Sequence, residues 1–108
     1  MAAELDAATL GQLLEAGADV QIVDVRPRET FEHGHIPGSV NIPFERLLED
    51  IDSVEWGDRV VFVCPYGERS RQAATLLSAY EGVDETTVYN LTDGLLGWDG
   101  PLTQQDHP

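Results

Sequence analysis

A small parallel β-sheet flanked by helices on both faces, an α/β fold, is what this sequence predicts. Three observations lead there. Four short runs rich in β-branched residues, VQIVDV (20–25), VNIP (40–43), RVVFVC (59–64) and TVYNL (87–91), alternate with stretches of helical periodicity. The chain has 108 residues, 42% of them hydrophobic, which suits one core in a single domain over 1–108. No repeat, linker or low-complexity stretch interrupts it.

Residues 6–16, DAATLGQLLEA, put Leu10, Leu13 and Leu14 at helical spacing and stop at Gly17. VQIVDV then reads as a strand buried on both faces. RPRETFEHGHIPGS holds a short helical turn followed by a loop punctuated by Gly34, Pro37 and Gly38. After the strand VNIP, FERLLEDI (44–51) sets Phe44, Leu47, Leu48 and Ile51 on one helical face. VEWGD is a loop with an acidic turn. The strand RVVFVC leads through a loop into a helix over 70–80, SRQAATLLSAY, with Ala73, Ala74, Leu77 and Tyr80 facing inward. TVYNL is the last strand, DGLLGW (93–98) a short helix or turn, and the polar tail 99–108 is expected to fray.

Composition narrows the function. The single cysteine, Cys64, leaves no partner for an internal disulfide and no cysteine cluster for a metal. The opening MAAELDAATL has neither the basic start nor the apolar segment of a signal peptide. No apolar run approaches the roughly 20 residues a membrane helix needs. The chain is therefore expected to be soluble and cytoplasmic.

Twenty acidic residues against six basic ones give a net charge of -14. All six basic residues are arginines: Arg26, Arg28, Arg46, Arg59, Arg69 and Arg71. Nucleic acid and anionic membranes are poor partners for such a surface. Self-repulsion of this size is tolerable where salt is concentrated, because the Debye length falls to about 3 Å at 1 M. A halophilic owner with a salty cytoplasm is the expectation. Arg26, Arg28, Arg69 and Arg71 all follow strand-like runs, so a parallel sheet would gather them near one end as a local positive spot.

Cys64 lies in that neighbourhood. It ends one strand and precedes, across a loop, the start of a helix. Ligands of open α/β sheets collect beyond the carboxyl ends of the strands. Backbone N–H groups of the loop and of the helix's first turn can converge on the sulfur, and with the helix dipole they favour thiolate over thiol. Pro65 has no N–H, so the cradle must come from Tyr66 through Ser70, with Gly67 giving the loop its freedom. A free cysteine often merely packs; here Gly67, Arg69 and Ser70 at close spacing argue for chemistry.

Three stretches now carry a resemblance. DVRPRETFEHGHIPGSVNIP, VVFVCPYGERSRQAA and NLTDGLLGW resemble, in that order, the signature blocks of the rhodanese-like domains, from about Asp24 to Trp98. The resemblance implies a small α/β sulfurtransferase. Its cysteine takes a sulfane sulfur from a donor such as thiosulfate or a persulfide. It holds that sulfur as a persulfide and passes it to cyanide, a thiol or a protein. Carried over by position, Cys64 is the persulfide carrier, and Tyr66, Gly67, Glu68, Arg69 and Ser70 form its cradle. Two departures stand out: Glu68 occupies a position that is often basic in the family, and Asp93-Gly94 replaces a common pair of glycines.

Other residues have plainer readings. Asp24 and Arg26 read as a buried pair supporting the active end of the sheet, with direct substrate contact as the alternative. Arg69 either binds an anion or pairs with a carboxylate. His33 and His35 in EHGHIPG read as structural rather than metal-binding, and Trp98 as core. No metal or cofactor is expected, and the chain should be a monomer or a weak dimer. Two rivals remain. A cysteine phosphatase needs an arginine six positions after the cysteine to clamp the phosphoryl oxygens, but that position is Ser70 and no general acid is evident. A sulfur-carrier domain serving one protein partner cannot be separated from a free-standing enzyme by sequence.

Overall fold

The computed structural model describes residues 3–80 and 87–104. Five parallel strands form one sheet in the order β1-β5-β4-β2-β3. They are β1 (Ala3–Leu5), β2 (Gln21–Asp24), β3 (Val40–Asn41), β4 (Arg59–Val63) and β5 (Thr87–Leu91). The helices are α1 (Ala7–Glu15), α2 (Arg28–His33), α3 (Leu47–Asp50) and α4 (Glu68–Ser78), with 3-10 turns at Phe44–Arg46 and Leu95–Gly97. Among the described residues no helix is long and apolar enough to cross a membrane.

The central strand explains the layering. Val60, Val61, Phe62 and Val63 are all fully buried, because successive side chains of β4 enter opposite layers. Val60 and Phe62 join Leu47, Ala73, Ala74 and Leu77 under α3 and α4. Val61 and Val63 join Leu5, Leu10, Ile36 and Leu91, with Trp98 partly buried against them. Cys64 continues the alternation of Val60 and Phe62, so its sulfur lies on the α4 side.

Helix α1 begins where its cap dictates: Asp6 accepts the Thr9 N–H at 2.7 Å. Several expectations need correction. Strand β1 adds to the four expected strands, in opening residues for which no strand is predicted, and pairs with Tyr89, Asn90 and Leu91 of β5. The segment 44–51 is a 3-10 turn followed by one turn of α-helix, and Leu48 is 67% exposed, so it leaves the apolar face. Helix α4 starts at Glu68, two residues before Ser70, because Gly67 at φ 84° turns the chain directly into it. The tail is held at Thr103, which exchanges backbone hydrogen bonds with His35 at 2.9 and 2.8 Å. Residues 105–108 of that tail lie outside the described residues.

Candidate active site

The loop after β4 folds around its own sulfur. Gly67 is the N-cap of α4 and has no side chain to offer the helix's unpaired amides. Cys64 supplies the acceptor instead. Its Sγ receives the Gly67 N–H at 3.1 Å and the Ser70 N–H at 3.3 Å, and lies 3.2 Å from Ser70 Oγ. A sulfur anion accepts such bonds more strongly than a neutral thiol, and the positive end of an 11-residue helix adds to them. Cys64 is only 3% exposed.

Of the five residues expected to line the cradle, Gly67 and Ser70 reach the sulfur. Tyr66 is 71% exposed and Glu68 also faces solvent. Arg69 places its guanidinium carbon 5.0 Å from the centroid of the Phe44 ring, a cation–π contact. Of the two roles expected for Arg69, the carboxylate pair is not formed among the described ion pairs. Arg69 and Phe44 instead form one wall of a cavity of about 300 Å³ that also meets Val25, Arg26, Thr30, Glu45 and Cys64.

Asp24 and Arg26 come together as foreseen. The fully buried Asp24 carboxylate takes Arg26 Nη2 at 2.7 Å and Nε at 2.9 and 3.0 Å. The same Nη2 donates to the Gly34 carbonyl at 2.6 Å, tying the end of β2 to the loop after α2. The expected positive spot is mostly neutralised: Arg28 pairs with Glu32 and Arg71 with Glu4. His35 stacks on Phe31 with centroids 3.8 Å apart, and its Nδ1 meets the Phe31 carbonyl at 2.8 Å. That carbonyl can only accept, so Nδ1 carries the hydrogen. Trp98 donates to the Pro101 carbonyl at 3.1 Å.

Sequence reasoning missed a second layer behind the sulfur. Ser70 Oγ donates to Oδ1 of the buried Asn90, and Asn90 Nδ2 donates to the Gly67 carbonyl at 3.1 Å and to Glu4 Oε1 at 3.0 Å. Burial pushes the Glu4 carboxyl up, but hydrogen bonds from Arg71, Asn90 and Thr92, with the charge of Arg71, outweigh it and hold the group below its ordinary range. An asparagine inside the apolar run TVYNL was the available signal, since a buried polar side chain needs partners.

Fold and loop together define a small α/β domain that presents a hydrogen-bonded thiol at a strand end. The chain belongs to the rhodanese-like domain family, which matches residues 6–100. It is 38% identical over 89 residues to the thiosulfate sulfurtransferase GlpE of Shewanella oneidensis, covering 82% of this chain and 84% of that protein. It is 36% identical over 96 residues to the HTH-type transcriptional regulator Rv0324 of Mycobacterium tuberculosis, covering 86% of this chain but only 41% of that relative. The crystal structure of a rhodanese-like domain protein from Staphylococcus aureus superposes with a TM-score of 0.83 at 27% identity, covering 96% of this chain and 99% of that one.

Proposed function

We propose that the protein is a sulfurtransferase in which Cys64 carries the sulfur. The observation that carries this reading is the pair of N–H bonds from Gly67 and Ser70 to Cys64 Sγ. In the first half-reaction the Cys64 thiolate attacks the outer sulfur of thiosulfate. The S–S bond of the donor breaks, sulfite leaves with the bonding pair, and a Cys64 persulfide remains. In the second, a nucleophilic acceptor such as cyanide or a thiolate attacks the outer persulfide sulfur, and the Cys64 thiolate leaves. Charge and atoms balance without a cofactor.

The outer sulfur would bear the persulfide's negative charge at the start of α4, where the amides of Tyr66, Glu68 and Arg69 remain to receive it. Gly67 and Ser70 hold the inner sulfur. Arg69 lines the entrance, while Asp24 and Arg26 keep that end of β2 rigid. A phosphatase is disfavoured because Ser70, where the phosphate-clamping arginine would be needed, is drawn onto the sulfur itself.

A relay domain that serves one protein acceptor is the second reading, since the match to Rv0324, which covers less than half of that relative, is to part of a longer protein. The net charge of -14 supports a salty cytoplasm as the working environment. Sulfite release from thiosulfate, with cyanide or a small thiol as acceptor, tests the enzymatic reading. Turnover that is lost in Cys64→Ala is expected. No turnover with small acceptors, but transfer to a cellular protein, would move the conclusion to the relay.

A further inference from the structure

We propose, resting on the sulfur-transfer reading, that Asn90 is a positioning residue that holds the Ser70 hydroxyl turned away from the Cys64 sulfur and so tempers the free cysteine. The argument is one of hydrogen-bond direction. Asn90 is fully buried on β5. Its Nδ2 faces the Gly67 carbonyl and the Glu4 carboxylate, at 3.1 and 3.0 Å. Both are acceptors only, so the amide cannot be turned around and Oδ1 must face Ser70. Ser70 Oγ gives its hydrogen to that Oδ1.

A hydroxyl has a single hydrogen. With it committed to Asn90, Ser70 Oγ can only accept from Cys64, 3.2 Å away. The thiol state is therefore satisfied throughout: S–H to Oγ, then O–H to Oδ1. When Cys64 releases its proton to solvent, the anion faces a serine lone pair. Ser70 can turn its hydrogen to the sulfur only by abandoning Oδ1, a buried acceptor, at the cost of an unsatisfied polar atom. Two backbone amides thus favour the anion while Asn90 withholds a third donor.

Charged groups around the sulfur do not substitute for that donor. Arg26, Arg69 and Glu45 line the same cavity, and Arg71 pairs with Glu4 behind Asn90, yet none of them donates to Sγ among the described bonds. The restraint acts on the free cysteine alone, because the inner sulfur of a persulfide carries neither a proton nor a full charge.

Alkylation of Cys64 by iodoacetamide at one near-neutral pH reads the effect whether or not the protein transfers sulfur, so failure here is distinct from failure of the proposed function. Asn90→Ala should raise the alkylation rate constant about three- to tenfold. In a Ser70→Ala background the same substitution should change nothing. A fall, no change, or an equal effect without the Ser70 hydroxyl overturns the proposal. A second readout needs no change at Asn90: its side-chain amide resonances should follow Cys64 ionisation, monitored separately by thiolate absorbance. They should cease to follow it in Ser70→Ala. An Asn90 amide indifferent to Cys64 ionisation, or one that follows it equally in Ser70→Ala, also overturns the proposal.

Discussion

Gly94 packs so tightly on Pro65 that a Cβ at position 94 would overlap the Pro65 carbonyl, and its φ of 68° lies in the left-handed region. The contact is the seam that closes the sulfur loop. Next to it, the Leu95 N–H donates to the Cys64 carbonyl at 2.8 Å and the Leu96 N–H to the Pro65 carbonyl at 3.2 Å. The segment after β5 thus fixes where the cysteine stands.

Gly94→Ala should therefore cost about 2–4 kcal/mol in urea unfolding, through backbone strain and the displaced loop. Asp93→Gly should stay within about 1 kcal/mol, because Asp93 is exposed and no residue other than glycine has positive φ among those described. Equal costs at the two positions would contradict this account of the glycine pair, in which only the second glycine is required.

Glu4 gives a pH dependence with a defined sign. Burial opposes its ionisation, but the bonds from Arg71, Asn90 and Thr92 prevail and its folded pKa is lowered. A lowered folded value means that its contribution is present above the unfolded value of about 4.3 and is lost as pH falls through the folded one. Wild type should exceed Glu4→Gln in urea midpoint at neutral pH, with the gap closing in acid. The gap should be small, because Glu4 is 43% exposed and solvent screens its pairing with Arg71. A gap that widens as pH falls would refute the sign.

The strands around Cys64 were legible because β-branched runs need no distant information to be recognised. Strand β5 falls on the residues read for it, and β4 ends one residue short, at Val63. Strand β1 was hidden: three residues with only Leu5 buried show no periodicity, and it exists only through pairing with β5. The same long reach hid the second layer behind the sulfur, since Glu4 meets Asn90 across 86 positions. The Arg69–Phe44 contact was equally unreadable, because it depends on the 3-10 turn at Phe44–Arg46 packing beside α4 on the same face of the sheet.

Salt should stabilise the fold. With a net charge of -14 and four arginine–carboxylate contacts among the described residues, holding Arg26, Arg28, Arg46 and Arg71, most of the acidic excess is left to repel itself. The thermal midpoint should climb from dilute buffer to about 1 M chloride, where screening is nearly complete. A flat or falling midpoint would remove the halophile expectation.

Thiosulfate binding should follow the same field. The dianion approaches a strongly negative protein, past Glu68, toward a cavity where Arg26 is already paired and Arg69 rests on Phe44. KM for thiosulfate should fall as salt rises, and Glu68→Arg should lower it further, mostly at low salt, with kcat less affected. A KM that rises with salt in folded protein would mean that local arginine attraction dominates.

The persulfide itself is the most direct test. Intact mass should increase by one sulfur atom on incubation with thiosulfate or a persulfide donor, revert with dithiothreitol, and not change in Cys64→Ala. Sulfur that loads onto Cys64→Ala, or wild-type protein that accepts none from either donor, would contradict the assignment of Cys64 as the sulfur carrier.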